Sequence, residues 1–354
     1  MDNLRMDRRA ALGLAVGVSL GARSWWTEAQ TPSDDEIVLW VADRDAQAVI
    51  GLNRGLLHRV CVPVAHPIAI ASASNGGIWV VSALKASRSA GNFEWLRLDV
   101  DGQLLARGEM HDFLSMRATL DGGVWLLSQK GRKLQYLSGT GGEEIQNGKH
   151  VGGALANGVG VTAVYQPVVQ TLDWNSCSFD CAQAMAVNRE GELLVNGDDD
   201  GFELIEDGVQ VDCPLVIESA LDICSVGGDW WILTERLLLH ITAEMDLAGL
   251  YDISKAGTKL IGSEVHQGVW LLDGKGVSAE LFSSRRRSRW VIEWEQSGAC
   301  DGIELERGAL LIATPGALIV LDENGHARAG QGGFREIVGV ALAIRGQPRV
   351  EARD

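Results

Sequence analysis

From residue 37 onward the chain alternates short apolar runs with polar, glycine-punctuated turns, and one run recurs. Its copies are 37–43 (IVLWVAD), 77–82 (GIWVVS), 123–128 (GVWLLS), 158–165 (GVGVTAVY), 192–197 (ELLVNG), 229–234 (DWWILT), 268–273 (GVWLLD) and 308–314 (GALLIAT). Their centres, near residues 40, 79, 125, 161, 195, 231, 270 and 312, lie 34 to 46 residues apart. Runs this short, bounded by Gly, Asn and Asp, read as strands. Apolar segments at 68–74, 116–120 and 184–188 precede three copies, and each ends in a turn such as Asn75-Gly76-Gly77 or Asp121-Gly122-Gly123. Gly in such turns supplies the positive φ that tight hairpins need. An alternating strand follows each copy, as at 134–137 and 318–321, and then a more polar one. No segment after residue 36 carries apolar residues at helical spacing over three turns, which rejects αβ repeats.

A four-stranded unit at this period predicts an all-β fold, a β-propeller, whose blades take roughly 40–50 residues each. About eight blades are expected. Seven remain open, because the copy within 149–180 is the weakest. The first unit lacks an inner strand, while the apolar segment at 337–345 has nothing after it with which to build a blade. The two ends therefore predict a ring closed by the C-terminal strand pairing with the 37–43 strand, which leaves no exposed sheet edge. Residues 37–345 form one propeller domain in this reading, preceded by segment 1–36 and followed by tail 346–354.

Arg5, Arg8 and Arg9 precede a 13-residue apolar run at 10–22 (AALGLAVGVSLGA). That is short for a membrane span and the right length for a signal-peptide core. Asp7-Arg8-Arg9-Ala10-Ala11-Leu12 resembles a twin-arginine export signal, with Asp7 and Ala11 departing from the pattern. Trp25 and Trp26 follow, and indoles favour the membrane–water interface. Export to the periplasm, with cleavage or with the segment kept as a membrane tether, is expected; a cytoplasmic protein with an N-terminal extension is the alternative. Residues 27–35 (TEAQTPSDD) read as a linker.

The formal net charge is −16, which disfavours nucleic acid as a partner, since phosphate binding needs a concentrated positive surface. The basic run Ser284-Arg285-Arg286-Arg287-Ser288-Arg289 reads as a solvated hairpin tip. The 12 Trp residues stand against 3 Tyr; with one Trp recurring in the repeat (Trp40, Trp79, Trp125, Trp231, Trp270), they mark a packing device between blades.

The segment Trp40-Val41-Ala42-Asp43, followed by a polar turn and Ala48-Val49-Ile50, resembles the NHL repeat. Pro67-Ile68-Ala69-Ile70 with Gly76-Gly77-Ile78-Trp79-Val80 is similar to the same repeat's first two strands. The Gly-Gly-x-Trp copies also resemble streptogramin-lyase and gluconolactonase-like propellers. The resemblance implies architecture over 37–345. No catalytic motif of those families is matched.

Loops that lead from one blade to the next gather at one channel mouth. Read in order they offer His66, His111 with Asp112, His150, Asp180, Glu218, Lys259, Asp301, and Arg335 with Glu336. Imidazoles at His66, His111 and His150 could hold Zn²⁺ with a position left for water; the bland reading is a polar rim. Asn196, Asp198 and Asp200 are spaced like the start of a calcium loop, without the flanking helices of an EF-hand. The divalent metals suggested, zinc or calcium, rest on these groups, and no other cofactor is indicated. The six cysteines (Cys61, Cys177, Cys181, Cys213, Cys224, Cys300) form no CxxC motif, and disulfides or buried thiols remain equal alternatives. The expectation is a non-catalytic binding or scaffold propeller of the cell envelope, with a protein or small ligand as partner. The alternative is a metal-dependent, lactonase-like hydrolase or lyase at the channel mouth.

Overall fold

A computed structural model of the chain describes residues 36–343 apart from 74–75, 85–91, 129–132, 140–143, 147–148, 152–168, 174–183, 197–200, 207–208, 212, 214, 216, 218–219, 254–258, 274–277, 284–286, 292–297 and 323. Seven antiparallel four-stranded sheets are built in chain order. The first contains β1 (Leu39–Asp43), β2 (Ala48–Leu52) and β3 (His58–Pro63). Blade 2 is β4 (Pro67–Ser72), β5 (Ile78–Ala83), β6 (Phe93–Leu98) and β7 (Leu104–Met110). Blade 3 has β8 (Ser115–Ala118), β9 (Val124–Leu127) and β10 (Lys133–Leu137). A separate hairpin, β11 (Glu144–Gln146) and β12 (Lys149–Val151), intervenes before β13 (Val169–Asp173) completes that blade. Blade 4 is β14 (Met185–Val187), β15 (Leu193–Asn196), β16 (Phe202–Glu206) and β17 (Val209–Val211). Blade 5 is β18 (Asp222–Val226), β19 (Asp229–Leu233), β20 (Leu237–Ile241) and β21 (Leu247–Asp252). Blade 6 is β22 (Lys259–Ser263), β23 (Gly268–Leu272), β24 (Ser278–Ser283) and β25 (Arg287–Val291). Blade 7 is β26 (Asp301–Glu304), β27 (Leu310–Thr314), β28 (Ala317–Leu321) and β29 (Ala327–Gly332). The last strand, β30 (Ile337–Leu342), returns to blade 1 and pairs with β1, Leu39 opposite Leu342. The innermost strands β30, β4, β8, β14, β18, β22 and β26 stand side by side in a closed ring.

The ring is therefore closed as the chain ends predict, with seven blades rather than eight. Among the described residues no separate blade is built from 149–180. The last described part of that stretch, β13, is the outer strand of blade 3, and β12 belongs to a hairpin inserted between the third and fourth strands of that blade. The run at 158–165 lies outside the described residues.

The core is divided into seven clusters of buried side chains, one at each seam between neighbouring blades. Trp40 packs against Ile78, Val80 and Leu98 of blade 2, Trp79 against Met116, Val124 and Leu126 of blade 3, and Trp125 against Met185, Leu193 and Val195 of blade 4. Trp231 and Trp270 fill the next blade's face in the same way. Blades 4 and 7 have Leu194 and Leu311 where the others have Trp, and at the blade 4–5 seam Trp230 of blade 5 supplies the bulk. Two of these indoles also donate across the seam: Trp40 Nε1–H to the Gly76 carbonyl at 3.3 Å and Trp79 Nε1–H to the Gly122 carbonyl at 2.9 Å. Large aromatics at a repeated position thus tie five of the blades to the next.

Antiparallel order gives the ring two distinct ends. Loops between blades share one end with the turns joining second to third strands; this is the loop end. Turns joining first to second and third to fourth strands share the other, the turn end. On the turn end one five-residue turn recurs, at 53–57, 99–103, 119–123, 188–192, 242–246 and 322–326. In each, the first residue's N–H donates to the fifth residue's carbonyl, and the fourth residue's N–H donates back to the first carbonyl. Asn, Asp or Thr at the first position accepts from backbone N–H groups in five of these turns, as Asp99 does from Asp101 and Gln103. The fourth residue has positive φ: Leu56, Gly102, Gly122, Gly191, Met245 and Gly325. This is a type I turn followed by a left-handed residue, which matches strand twist.

Candidate functional site

The second strand of six blades ends, at the loop end, in a buried polar residue three positions after the Trp or its Leu equivalent: Asp43, Ser82, Ser128, Thr234, Asp273 and Thr314. Their spacing was visible in the repeat and carries a clear purpose. Thr234 and Thr314 each donate their hydroxyl to a carbonyl three residues on, and accept that residue's N–H. Asp43 does more, accepting N–H bonds from Ala46, Arg335 and Glu336 at 3.0, 2.8 and 2.9 Å. Beside it the Arg44 guanidinium forms a two-pronged ion pair with Glu336. The terminal strands are thus latched together by charge-assisted bonds.

Inside the channel mouth the innermost strands carry two carboxylates. Asp222 accepts from Ile223 N–H, from Leu260 N–H of blade 6 at 2.9 Å, and from Arg117 at 2.8 Å. Arg117 belongs to blade 3, so this ion pair passes in front of blade 4 and bridges blades 3 and 5. Asp301 accepts Val340 N–H of β30 at 3.0 Å, and Lys259 Nζ lies 3.9 Å from its other oxygen. Both Asp residues join neighbouring inner strands, a use of the carboxylate that separations of 38 and 39 positions along the chain concealed from the sequence.

Two thiols lie among these charges. Burial, reinforced by Asp222, pushes the Cys224 thiol far above its ordinary range, against Arg117 and Lys259. Burial and then Asp301 push Cys300 up to about 12, and its Sγ–H donates to backbone carbonyls of Ala313 and Ile337. Both are protonated, and a thiol so held is a poor nucleophile. Cys61, Cys213, Cys224 and Cys300 are free; Cys177 and Cys181 lie outside the described residues.

Of the residues singled out from sequence, His66, His111, Asp112, Asp301 and Arg335 are at the loop end. His66 is half-buried with φ 42°, and its carbonyl accepts Ala83 N–H. His111 is exposed, and Asp112 accepts the Ser128 hydroxyl at 3.1 Å. His150 is not on a loop between blades: β12 places it on the connection that leaves blade 3 from the opposite end, so it does not take a position like those of His66 and His111. Asp180, Glu218, Asp198 and Asp200 lie outside the described residues. Asn196 ends β15 and is buried, with its side-chain amide nitrogen unpartnered. Among the described residues no group of three or more His, Cys, Asp or Glu is arranged to hold a metal ion.

No family model matches the sequence, and no curated protein matches it. Solved structures do match in shape. A protein of unknown function from Desulfotomaculum acetoxidans superposes with a TM-score of 0.64 at 12% identity, over 86% of this chain and 98% of that one. A candidate 6-phosphogluconolactonase of Bacteroides fragilis gives 0.61 at 10%, over 88% and 99%. A catalytically inactive variant of virginiamycin B lyase from Staphylococcus aureus, solved with quinupristin, gives 0.53 at 10%, over 80% and 93%. At such identities the likeness concerns the fold.

Proposed function

We propose that the chain is a non-catalytic binding or scaffold propeller of the cell envelope, meeting its partner at the loop end. One observation carries this: the buried and half-buried carboxylates of the latch and channel mouth are engaged by the protein's own donors, and exposed Asp45 and Glu235 stand apart on outer turns. Asp43 holds three backbone N–H groups, Asp222 two and Arg117, Asp301 one, Asp112 a serine hydroxyl, and Glu336 an arginine. A general base must be within reach of substrate, and these are occupied in holding strands together. The loops around them vary in length and composition, as binding loops on a rigid scaffold do. The envelope location rests on segment 1–36, which lies outside the described residues; no helix among the described residues is long and apolar enough to cross a membrane.

A hydrolase or lyase at the same mouth is the rival reading, favoured by the like placement of His66 and His111 on successive blades. Metal analysis of the purified protein, with His66→Ala/His111→Ala beside it, separates the two. Stoichiometric metal lost from a folded double variant overturns the binding reading. Capture of a partner that is abolished by substitutions in the loop-end residues Arg335 and His111, with folding intact, supports it.

A further inference from the structure

The two ends of the ring differ in what they expose. Among the described residues nine large apolar side chains are exposed, and of these only Leu84 and Leu221 stand at the loop end. Leu57 (53% exposed), Leu104 (47%), Leu105 (38%), Leu120 (64%), Leu247 (59%) and Val265 (54%) sit on turn-end turns or on the first residues of outer strands that start from them. Leu57, Leu104, Leu105 and Leu120 belong to three neighbouring blades, 1–3, and mark one sector of that end. The blade 2 turn leans on blade 1, where a Cβ at Gly102 would strike Val62 and Val60, and the blade 3 turn holds the Trp79 indole of blade 2.

The chain enters the ring at this same place. Strand β1 runs from the turn end toward the loop end, since its last residue, Asp43, meets the start of β30. Ile37, just before β1, touches the Cβ position of Gly51, and Val38 N–H donates to Leu52, immediately before the turn that bears Leu57. Segment 1–36, with its apolar run at 10–22 and Trp25-Trp26, therefore departs beside the aliphatic sector. The linker of nine residues from 27 to 35 spans at most about 32 Å even when extended. A tether this short, leaving from one face, turns that face toward whatever the tether enters.

We propose that the turn end of the propeller lies on a lipid surface, with the aliphatic sector of blades 1–3 resting in the interface and the loop end pointing away from it. This rests on the envelope reading above. The sector's carboxylates, Asp99, Asp101 and Asp121, select the kind of surface. Against Arg54 and Arg59 they leave it weakly negative, so it suits a zwitterionic headgroup layer better than an anionic one. The aliphatics are shallow: single side chains at turn tips, contributing interfacial contact in proportion to their small apolar area. They add to the hold of the N-terminal segment, and the two together set the bound fraction.

Flotation of the full chain with phosphatidylcholine vesicles tests this. The bound fraction is expected to fall at least threefold in Leu57→Ser/Leu104→Ser/Leu120→Ser, with an unchanged melting curve because these side chains are exposed. Leu84→Ser/Leu221→Ser is expected to leave it unchanged, and replacing a third of the lipid with phosphatidylglycerol to lower it. Flotation that persists but ignores the triple substitution overturns the orientation alone. A chain that does not float at all overturns the tether reading with it. Self-association through the triple-Leu sector, seen as a change of oligomeric state without vesicles, also overturns the proposal.

Discussion

At the scale of single residues the fold is set by backbone conformation and by where each polar atom finds a partner. Gly191, fourth in its turn, has φ +88° and nothing within 4 Å of where a Cβ would stand. Gly191→Ala isolates the left-handed penalty and should cost about 1–2 kcal/mol. Gly268 has ordinary φ, but its Cβ would lie 2.0 Å from the Phe282 carbonyl oxygen. Gly268→Ala should cost more than Gly191→Ala, and denaturant titration of both orders the two effects; equal stabilities would refute the steric reading. A pH effect is expected at the blade 6–7 seam. Burial raises the pKa of Glu304, countered by the Ser263 hydroxyl and Val265 N–H that donate to it. A raised acid favours folding while neutral, so this contribution is present below the ordinary glutamate range and lost as pH rises through the folded value. Glu304→Gln keeps a neutral acceptor at all pH. Its stability relative to wild type should therefore rise from acidic to neutral pH, and a difference independent of pH would contradict the assignment.

At the scale of strands, the seam is the unit of stability. Trp79 is buried, fills the blade 2–3 cluster and donates to Gly122. Trp79→Ala should cost about 3–5 kcal/mol, the range for removing a large core aromatic. An unchanged urea midpoint would show that the seam does not depend on it. Strands and turns of this kind were legible in the sequence because alternation, Gly-bearing turns and a recurrent Trp all repeat at one period. Blade number was less legible. The run at 158–165 has the strand pattern, but periodicity does not reveal which sheet accepts a strand, and the insertion in blade 3 delays β13 by more than thirty residues after Leu137. Of the candidate residues, strand counting reaches the loop positions of His66, His111, Asp112 and Arg335, while His150 stands in the inserted hairpin; their role as a site is left to the metal analysis. The Arg117–Asp222 pair left no trace, since 105 residues and a whole blade separate its members. The polar residue closing each second strand did leave one, three positions after each Trp.

At the scale of the molecule, closure couples all seven seams. An open ring would leave β1 and β4 without their neighbour β30 and expose the clusters on both sides of blade 1. The latch joins segments 292 residues apart, so its loop-closure cost is met once and returned by every seam that the closed ring completes. Its centre is Asp43, only 1% exposed and accepting three backbone N–H bonds. Arg44 and Glu336, about a third exposed, form the outer part, where solvent weakens an ion pair. The two parts should therefore respond unequally. Asp43→Ala orphans three N–H groups at about 1–3 kcal/mol each before water relieves some of them, for a net loss of about 3 kcal/mol or more. Glu336→Gln should cost about 1 kcal/mol or less. Because the loss falls on closure, Asp43→Ala should lower one cooperative transition for the whole ring, monitored by the fluorescence of the Trp residues buried at the other six seams. A separate early transition confined to blade 1, with the remaining blades melting at the wild-type temperature, would show that the seams are independent and that the latch serves its own blade alone.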